Sequence, residues 1–350
     1  MNLFTWRMCA EGIASPLLGS TPAGLPALLA RVDTGAATSL DELTRSLPGG
    51  AYTTLRTFHG RQVLQLEAHF TRLEQTAEMV GKPIRLDRLT VRRAMQMALL
   101  LAQRWSLQGL SNQLDSAHLG FDQTREQPTS SGEPSGSEVT DRDLVVSAEN
   151  LQRLEGPSDA PRPDFRLRLT LDLTDQPGDL YLSLQALTTP PDSAYQQGVP
   201  VITYQMQRWL PKAKLTRFIE RSGAVRQSLP PGVNEALMFD EAGQLLEGLS
   251  SNFFAIIEGE IWTAEAGVLS GITRSLVLEG ARQLGLTLHL QSACLSDVPR
   301  LQEAFITSSS RAVLPISRID DHPLPSAPGP LTGRLMGMYE RLEERLEKLI

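Results

Sequence analysis

Cysteine is scarce in this sequence, and clusters of metal-ligating residues are missing from it. The two cysteines among 350 residues, Cys9 and Cys294, are too few for a disulfide framework, which indicates a reducing compartment. His69, His289 and His322 have no second histidine or cysteine at the spacing of a metal site. We therefore expect neither structural disulfides nor a bound metal ion, and we expect the protein to reside in the cytoplasm.

Long apolar segments and basic clusters are also absent. The most apolar run, residues 97–102, is too short to cross a membrane. The first residues lack the charged and apolar pattern of a secretory signal. A formal net charge of −7 without a basic cluster argues against nucleic acid as a partner. The length of 350 residues, with 41% hydrophobic content, predicts two domains.

Lysine is rare, because only four of the 33 basic residues are lysines: Lys82, Lys212, Lys214 and Lys348. Arginine supplies positive charge elsewhere, but lysine can lose its proton and condense with an aldehyde. Lys82 in a turn and Lys348 near the last residue have the pattern of solvated charges. This leaves Lys212 and Lys214 as candidate reactive amines, and their spacing alone does not separate them.

Residues 245–274 combine a carboxylate with the start of a helix. Glu247 ends an apolar run and precedes a turn of small residues, which predicts two antiparallel strands with the acid near their junction. The helix predicted to begin near residues 269–274 offers free N–H groups and the Thr273 hydroxyl to an anion. With an upstream lysine, this pattern favours a phosphorylated aldehyde as cofactor. Alternatively, Glu247 is a structural acid satisfied by Ser250 or Asn252.

The sequence predicts an N-terminal domain over residues 1–187, a linker over 188–195 and a C-terminal domain over 196–350. Residues 109–163 are rich in polar residues, glycine and proline, and we expect a disordered insertion there. Apolar spacing predicts helices at residues 25–32, 40–47 and 331–350, and strands at 51–58 and 165–171. Arg56 and Arg168 alternate with apolar residues on these strands, so their side chains face either a pocket or solvent.

The sequence contains five ordered motifs: AKLT at 213–216, NEALMFD at 234–240, LEGLSSNFF at 246–254, GITR at 271–274 and AFITSSS at 304–310. Together they resemble the class IV, or fold-type IV, pyridoxal-phosphate aminotransferases, the family of the branched-chain and D-amino acid aminotransferases and aminodeoxychorismate lyase. The resemblance spans residues 49–324 apart from the insertion. It implies an α+β fold of two domains, a smaller N-terminal α/β sandwich and a larger C-terminal α/β pseudo-barrel, with pyridoxal 5'-phosphate as cofactor.

The resemblance also implies catalytic roles. It favours Lys214 over Lys212 as the lysine that holds the cofactor covalently and then shuttles a proton at the substrate. It implies that Glu247 keeps the ring nitrogen of the cofactor protonated. Phe218 stands where some members have a tyrosine that donates to the ring hydroxyl, so this chain lacks that donor.

Further binding residues follow from the same resemblance. Arg72, in HFTRL at 69–73, would bind the cofactor phosphate; alternatively it pairs with Glu74 or Glu78 on its own helix. The other implied cofactor contacts are Leu269 against the ring, and Ile272, Thr273 and Ser309 at the phosphate. The candidate substrate-binding residues are Arg56, Arg168 and Ser310.

The resemblance implies an aminotransferase that moves an amino group between an amino acid, branched-chain ones included, and a 2-oxo acid. The alternative is a lyase that releases pyruvate, since residues 50–56 look like the corresponding strand of aminodeoxychorismate lyase. Residues 166–168 read Arg-Leu-Arg, which differs from the Arg-x-His pair that binds carboxylates in D-amino acid enzymes. The family resemblance further implies a homodimer.

Overall fold

The computed structural model describes residues 3–9, 14–15, 28–107, 144–145 and 162–349. Two large sheets with helices packed against them form the described chain, which confirms the predicted α+β class. Among the described residues, no helix combines the length and the apolar character needed to span a membrane.

The first sheet has eight strands, and each neighbouring pair is antiparallel. In chain order these strands are β1 (Leu3–Met8), β3 (Leu28–Arg31), β4 (Gly50–Phe58), β5 (Gln62–Leu64), β7 (Leu144–Val145), β8 (Phe165–Asp172), β9 (Leu180–Ala186) and β19 (Leu346–Lys348). Their order across the sheet is β19-β5-β4-β8-β9-β1-β3-β7. Two short strands, β2 (Ala14–Ser15) and β6 (Arg85–Leu86), pair with each other.

Three helices accompany this sheet: α1 (Leu40–Ser46), α2 (Leu66–Met79) and α3 (Arg88–Leu107). Phe70 and Leu73 of α2 are fully buried in one apolar cluster with Leu55 of β4 and Leu167 of β8. The apolar faces of the sheet and of these helices therefore form the first core, because each face removes the other from water.

The second sheet has nine strands: β10 (Val199–Gln205), β11 (Glu235–Phe239), β12 (Leu245–Gly248), β13 (Asn252–Ile257), β14 (Glu260–Trp262), β15 (Leu288–His289), β16 (Glu303–Ser308), β17 (Ala312–Ile319) and β18 (His322–Pro323). The strands run in the order β12-β11-β10-β17-β16-β13, and β12 also pairs with β13. This last pairing closes six strands into a barrel, as the predicted pseudo-barrel requires.

The helices of this part of the chain are α4 (Asp192–Gln197), α5 (Arg217–Gln227), α6 (Ile272–Gln283) and α7 (Pro330–Glu340). Helix α7 begins at a buried carboxylate, since the Glu303 side chain accepts hydrogen bonds from the N–H groups of Leu331 at 3.1 Å and Thr332 at 2.7 Å. Such a carboxylate satisfies amides that have no partner within the helix, and it complements the helix dipole.

Two predicted helices have other structures. The helix predicted at residues 25–32 is wrong where the structure describes these residues, because residues 28–31 form strand β3. This strand pairs with β1 on the side opposite β9. The prediction at 331–350 is wrong after Glu340, where a 3₁₀ turn leads into β19. There Leu346 lies opposite Leu64 of β5, and Leu349 is fully buried in the first core. In both segments strand pairing outweighs local helix propensity.

The expected insertion at 109–163 is described only in part. Residues 144–145 form β7 at the edge of the first sheet, and Arg162 packs beside Gly60, while the insertion as a whole stays a prediction. The other residues from 109 to 161 lie outside the described part of the chain, as does the whole segment 16–27. The boundaries of the two domains and of the linker at 188–195 stay predictions, although α4 already begins at Asp192.

Candidate active site

A polar face of the first sheet forms one wall of a cleft. Tyr52 and Thr54 of β4 lie opposite Thr170 and Arg168 of β8, and Arg166 follows on the same face of β8. Alternate residues of a strand point to opposite faces, so the apolar residues between them enter the core. The opposite wall comes from the barrel and from the loop that precedes α5. It includes the predicted site residues Lys214, Glu247, Leu269, Ile272, Thr273, Ser309 and Ser310, while Arg72 of α2 also lines the cleft.

The backbone of Lys214 is fixed from two sides. Its carbonyl oxygen accepts a hydrogen bond from the N–H group of Tyr52 at 2.9 Å, and its own N–H group donates to the Thr76 hydroxyl of α2 at 3.3 Å. Two residues on, the Thr216 N–H group donates to the carbonyl oxygen of Gly50 at 2.9 Å. These bonds attach the loop before α5 to β4, so Lys214 extends into the cleft from a rigid segment.

The environment of Lys214 favours a neutral amine. Burial, reinforced by the positive charges of Arg72, Arg208 and Arg168, pushes the pKa of the Lys214 amine well below its usual value, with Glu247 opposing this effect. The Nζ atom lies 4.6 Å from the centroid of the Tyr52 ring. An amine of this kind is a nucleophile and a proton acceptor at a pH where an exposed lysine is protonated.

Lys212 has a different environment. Its Nζ atom donates to the carbonyl oxygen of Glu265 at 2.8 Å and lies 3.5 Å from the carboxylate of the same residue, and its side chain is 38% exposed. It is absent from the lining of the cleft. The structure thus distinguishes two lysines that are only two positions apart in the sequence.

Glu247 lies in β12 and is only 2% exposed. Its carboxylate accepts three hydrogen bonds, from Arg208 Nε at 2.6 Å, Asn252 Nδ2 at 3.0 Å and the Leu269 N–H group at 3.1 Å. Burial raises the pKa of Glu247, while Arg208 lowers it. The Asn252 contact matches one part of the alternative interpretation from the sequence, whereas Ser250 donates to a different acid, Glu235, at 2.7 Å.

Two glycines make room for this arrangement. A Cβ atom at Gly271 would lie 1.9 Å from Asn252 Oδ1, and one at Gly248 would lie 2.3 Å from the Ser251 hydroxyl. Real Cβ contacts do not approach so closely, so a larger residue at 271 would displace the amide that holds Glu247. The glycines of the sequence motifs therefore have a steric function at the site.

The predicted anion site lies at the N-terminus of α6. Gly271 precedes the helix and no side chain caps it, so the N–H groups of Ile272 and Thr273 have no capping acceptor. Arg72 Nη2 donates to the carbonyl oxygen of Ser270 at 2.7 Å, which places this guanidinium beside the helix start. Burial lowers the pKa of Arg72 to about 10, a value at which it keeps its charge at neutral pH.

The alternative partners of Arg72 are engaged elsewhere. The Glu74 carboxylate accepts from Arg88 at 2.7 Å, and Glu78 lies 3.7 Å from Arg85. Arg72 makes no ion pair with either acid among the residues that the structure describes. Its proximity to the α6 N-terminus therefore favours anion binding over a pair on its own helix.

The turn at residues 308–310 joins β16 to β17 and lines the cleft. Arg311 stabilises this turn, since its Nε donates to the Ser308 hydroxyl at 3.2 Å and its Nη2 donates to Glu235 at 2.9 Å. Ser309 and Ser310 are half-buried, so their hydroxyl and N–H groups can reach a ligand.

Arg168 and Arg56 are already paired within the protein. Arg168 donates to Asp41 at 2.7 Å, to the Thr44 hydroxyl at 2.7 Å and to the carbonyl oxygen of Leu40 at 3.0 Å, and so holds α1 against the sheet. Burial would raise the pKa of Asp41, but its arginine neighbours lower it to about 2. Arg56 lies 3.9 Å from Asp164 and lines a separate, smaller cavity.

Arg166 is a site residue that the sequence did not single out. It is half-buried in the wall of the cleft, its Nε atom has no hydrogen-bond partner, and it makes no ion pair within the described part of the chain. Burial and the neighbouring Arg168 lower its pKa to about 10. The two-residue spacing of Arg166 and Arg168 on one strand face was the available signal, but sequence alone does not reveal which guanidinium is free.

Arg208 is a second residue without a clear signal in the sequence. It lies in the loop between β10 and α5 and is 9% exposed, whereas its neighbour Trp209 is 71% exposed. Its Cζ atom lies 3.5 Å from the centroid of the Phe218 ring. The Arg208 guanidinium therefore lies between the Glu247 carboxylate and the Phe218 ring in the wall of the cleft.

The chain is similar in sequence to proteins of known class. The family model described as amino-transferase class IV matches residues 145–319. The branched-chain-amino-acid aminotransferase of Pseudomonas aeruginosa is 31% identical over 156 residues, which are 42% of this chain and 51% of that protein. The D-alanine aminotransferase of Bacillus licheniformis is 31% identical over 146 residues, 41% of this chain and 51% of that protein. The aminodeoxychorismate lyase of Bacillus subtilis is 29% identical over 109 residues, 31% of this chain and 37% of that protein.

The fold is similar to that of solved transaminases. A branched-chain amino acid aminotransferase solved with pyridoxamine 5'-phosphate has a TM-score of 0.62 at 19% identity, covering 91% of this chain and 96% of that one. A fold IV transaminase from Curtobacterium pusillum has a TM-score of 0.61 at 18% identity, covering 96% and 98%. In sequence, the chain spans about half the length of the two aminotransferase relatives above.

Proposed function

Because the chain belongs to the class IV aminotransferases, we propose that it transfers an amino group between an amino acid and a 2-oxo acid with pyridoxal 5'-phosphate as cofactor. The family model matches residues 145–319, half of the chain, which confirms the family predicted from the motifs. The observation that carries the proposal is a single cleft that contains Lys214, with its lowered amine pKa, and the buried carboxylate of Glu247.

The residues of the cleft fit this cofactor. The amides at the start of α6 and the Arg72 guanidinium suit a phosphate, because both offer N–H donors and positive charge to an anion. The Glu247 carboxylate, held by three donors, has acceptor capacity left for a protonated ring nitrogen. Leu269 offers an apolar surface beside it. When bound, the cofactor supplies an aldehyde that captures amino groups and a ring that withdraws electrons from the substrate.

Lys214 would hold the cofactor and then move a proton. As a neutral amine, its Nζ atom would hold the cofactor covalently, and the same atom would accept a proton from the substrate α-carbon. The arginines that surround Lys214 favour its neutral form before each transfer. The fixed backbone at residues 214–216 limits the movement of this amine to its side chain.

Arg166 would bind a carboxylate of the substrate. Its guanidinium combines a position in the wall of the cleft with unused donors, whereas Arg168 and Arg56 have partners within the protein. We therefore assign the binding of the substrate carboxylate to Arg166 instead of Arg56 or Arg168. The amides and hydroxyls at Ser309 and Ser310 complement it from the barrel side of the cleft.

Half-reactions with single amino acids test the proposed function. The purified protein loaded with pyridoxal 5'-phosphate is mixed with L- and D-amino acids in turn, and its absorbance is followed. We expect one stereochemical series, branched-chain amino acids among it, to convert the bound cofactor to its amine form, and a 2-oxo acid to restore it. Binding without conversion by any amino acid would contradict an aminotransferase.

A lyase is the second candidate, supported by the similarity to the aminodeoxychorismate lyase of Bacillus subtilis. It would use the same lysine and acid but eliminate pyruvate instead of transferring the amino group. Release of pyruvate from aminodeoxychorismate, without conversion of the cofactor by amino acids, would decide for the lyase.

The Arg166→Gln variant tests the carboxylate role. Glutamine keeps most of the side-chain volume but loses the charge, and we expect kcat/KM for the amino acid to fall about 100-fold, mainly through a higher KM. Arg282→Gln, at an exposed position in the last turn of α6, is the control and should retain wild-type kinetics. Arg168→Gln should instead lower the melting temperature, because the hydrogen bonds from Arg168 to α1 hold this helix against the first sheet. Unchanged KM in Arg166→Gln would refute the assignment.

The proposed assembly is a homodimer in the cytoplasm. Family membership and the low cysteine content support this proposal. Light scattering of the purified protein tests it, and a monomer at micromolar concentration would contradict it.

A further inference from the structure

A buried ion pair lies behind the barrel wall of the cleft. Glu235, the first residue of β11, is only 2% exposed, and its carboxylate accepts a hydrogen bond from Arg311 Nη2 at 2.9 Å. The Arg311 side chain is 16% exposed. Neither residue is among those that line the cleft. Any effect of this pair on a ligand in the cleft must therefore pass through the residues that the pair holds.

Arg311 connects the pair to the turn at residues 308–310, which lines the cleft. Its Nε donates to the Ser308 hydroxyl at 3.2 Å, and its Nη1 donates to Asn234 Oδ1 at 3.1 Å. The carbonyl oxygen of Arg311 accepts a hydrogen bond from the Tyr195 hydroxyl at 3.1 Å. All three nitrogens of the guanidinium are thus engaged, and they attach the turn to the start of β11.

Glu235 connects the pair to the bend at residues 249–251, which joins β12 to β13 and also lines the cleft. Its carboxylate accepts hydrogen bonds from the hydroxyls of Ser250 at 2.7 Å and Ser251 at 3.2 Å. Burial would raise the pKa of Glu235, but Arg311 and the Ser250 hydroxyl lower it below its usual value, so the acid is charged at neutral pH. One ion pair therefore fixes two segments of the cleft wall relative to each other.

The turn at residues 308–310 is a segment whose geometry matters. Ser309 and Ser310 are half-buried in the cleft wall. Successive N–H groups of a turn can form a concave site for an anion. Such a site depends on position, because a displacement of about 1 Å takes an N–H group out of hydrogen-bonding range. A rigid support behind the turn would therefore determine how tightly it binds a carboxylate.

We propose that Glu235 and Arg311 are positioning residues of the substrate site. Their ion pair holds the turn at residues 308–310 so that the N–H groups of Ser309 and Ser310 converge on the substrate carboxylate. This inference rests on the proposed function, which places that carboxylate beside the turn. The pair itself touches neither substrate nor cofactor, and it acts only by fixing the turn.

The effect of the pair should be confined to the carboxylate. Glu247 precedes the bend in the sequence, but Arg208, Asn252 and the Leu269 N–H group hold its carboxylate independently of the pair. Loss of the pair should therefore leave this acid in place and the absorbance of the bound cofactor unchanged. This separates a role in substrate binding from a general disturbance of the cleft.

Binding of an unreactive acid and of its amide tests the role without any catalytic step. The probes are 4-methylpentanoate and 4-methylpentanamide, which share an achiral branched chain and differ in the charge at its end. Neither has an amine that could react with the cofactor. Dissociation constants are measured by calorimetry on the full chain loaded with pyridoxal 5'-phosphate, as wild type and as Arg311→Met.

We expect the wild type to bind the acid about 100-fold more tightly than the amide, since hydrogen bonds to a charged group are the stronger ones. Arg311→Met should reduce this preference about 10-fold, and it should bind the amide as the wild type does. A loosened fold would instead weaken both probes together. An unchanged preference in Arg311→Met, or equal weakening of both probes, would overturn the proposal.

The double variant Glu235→Gln/Arg311→Met separates positioning from stability. Arg311→Met alone leaves the Glu235 charge buried without its partner, whereas the double variant removes both charges and serves if the single variant fails to fold. It should have a higher melting temperature than Arg311→Met but the same reduced preference for the acid. A preference that returned together with the stability would show that the pair only stabilises the fold.

Arg300→Met is the matched control. Arg300 also pairs with a glutamate, Glu258, at 2.8 Å, but both side chains are exposed and lie outside the lining of the cleft. This variant should keep the wild-type preference for the acid. A wild type that binds neither probe, or both equally, would contradict the carboxylate site of the proposed function and this inference with it.

Discussion

Replacing Lys214 with alanine is expected to abolish the covalent cofactor adduct and to lower kcat by about 10⁴-fold or more, since one side chain both holds the cofactor and carries the proton. The wild-type protein, treated with borohydride, should yield a pyridoxyl group on the peptide that contains residues 211–217. Lys214→Ala should yield none, although it should still bind the cofactor through the phosphate contacts.

Lys212→Ala is the matched control, because it removes a lysine two positions away that binds Glu265 outside the cleft. It should keep both the adduct and the visible absorbance. The pH dependence offers a further check: a lowered amine pKa means that attachment at Lys214 levels off at a lower pH than attachment to an exposed lysine, whose pKa is about 10.4. An adduct on Lys212 would show that the wrong lysine has been assigned.

The second large effect is expected for Glu247→Gln. An amide cannot hold a protonated ring nitrogen by charge, so the ring withdraws electrons less well, and we expect kcat to fall about 100- to 1,000-fold. The variant also leaves the Arg208 charge without its carboxylate in a buried position, a change that typically costs about 3–5 kcal/mol. Single-turnover kinetics and urea unfolding measure the two effects separately.

Glu303→Gln separates loss of stability from loss of chemistry. Glu303 is also a buried glutamate of the second sheet, but it accepts from the first amides of α7 instead of facing the cleft. The Glu303→Gln variant should have a smaller free energy of unfolding than the wild type, but the folded variant should retain the wild-type kcat. If both variants lowered kcat equally, the role of Glu247 at the ring would be refuted.

The local features of the site could be predicted from the sequence. Glu247 precedes a turn of small residues, and Gly271 precedes a strong helical pattern, so each position follows from short-range rules for hairpins and helix starts. The closure of the barrel by β12 and β13 was expected only through the family resemblance. Lys214 and Lys212 could not be separated by spacing, because the hydrogen bonds that fix Lys214 come from β4 and α2, far away in sequence.

Arg166 and Arg208 could not be predicted, because their significance depends on which donors are left over after folding. The sequence contains many arginines, and nothing local shows that Asp41 of α1 binds Arg168 and leaves Arg166 free. Arg208 precedes the exposed Trp209, so its segment resembles a surface loop. Free hydrogen-bonding groups are a property of the tertiary structure, and sequence patterns report them poorly.

The strand formed by residues 346–348 has a consequence for how the protein is made. It pairs with β5, and Arg92 of α3 holds it by donating to the carbonyl oxygen of Lys348 at 2.6 Å. A ribosome synthesises β5 some 280 residues earlier, as the 281 positions between Leu66 and its partner Glu347 illustrate. The border of β5 must therefore stay unpaired while the ribosome adds about 280 further residues, and the first sheet gains this strand only when residues 346–348 have emerged.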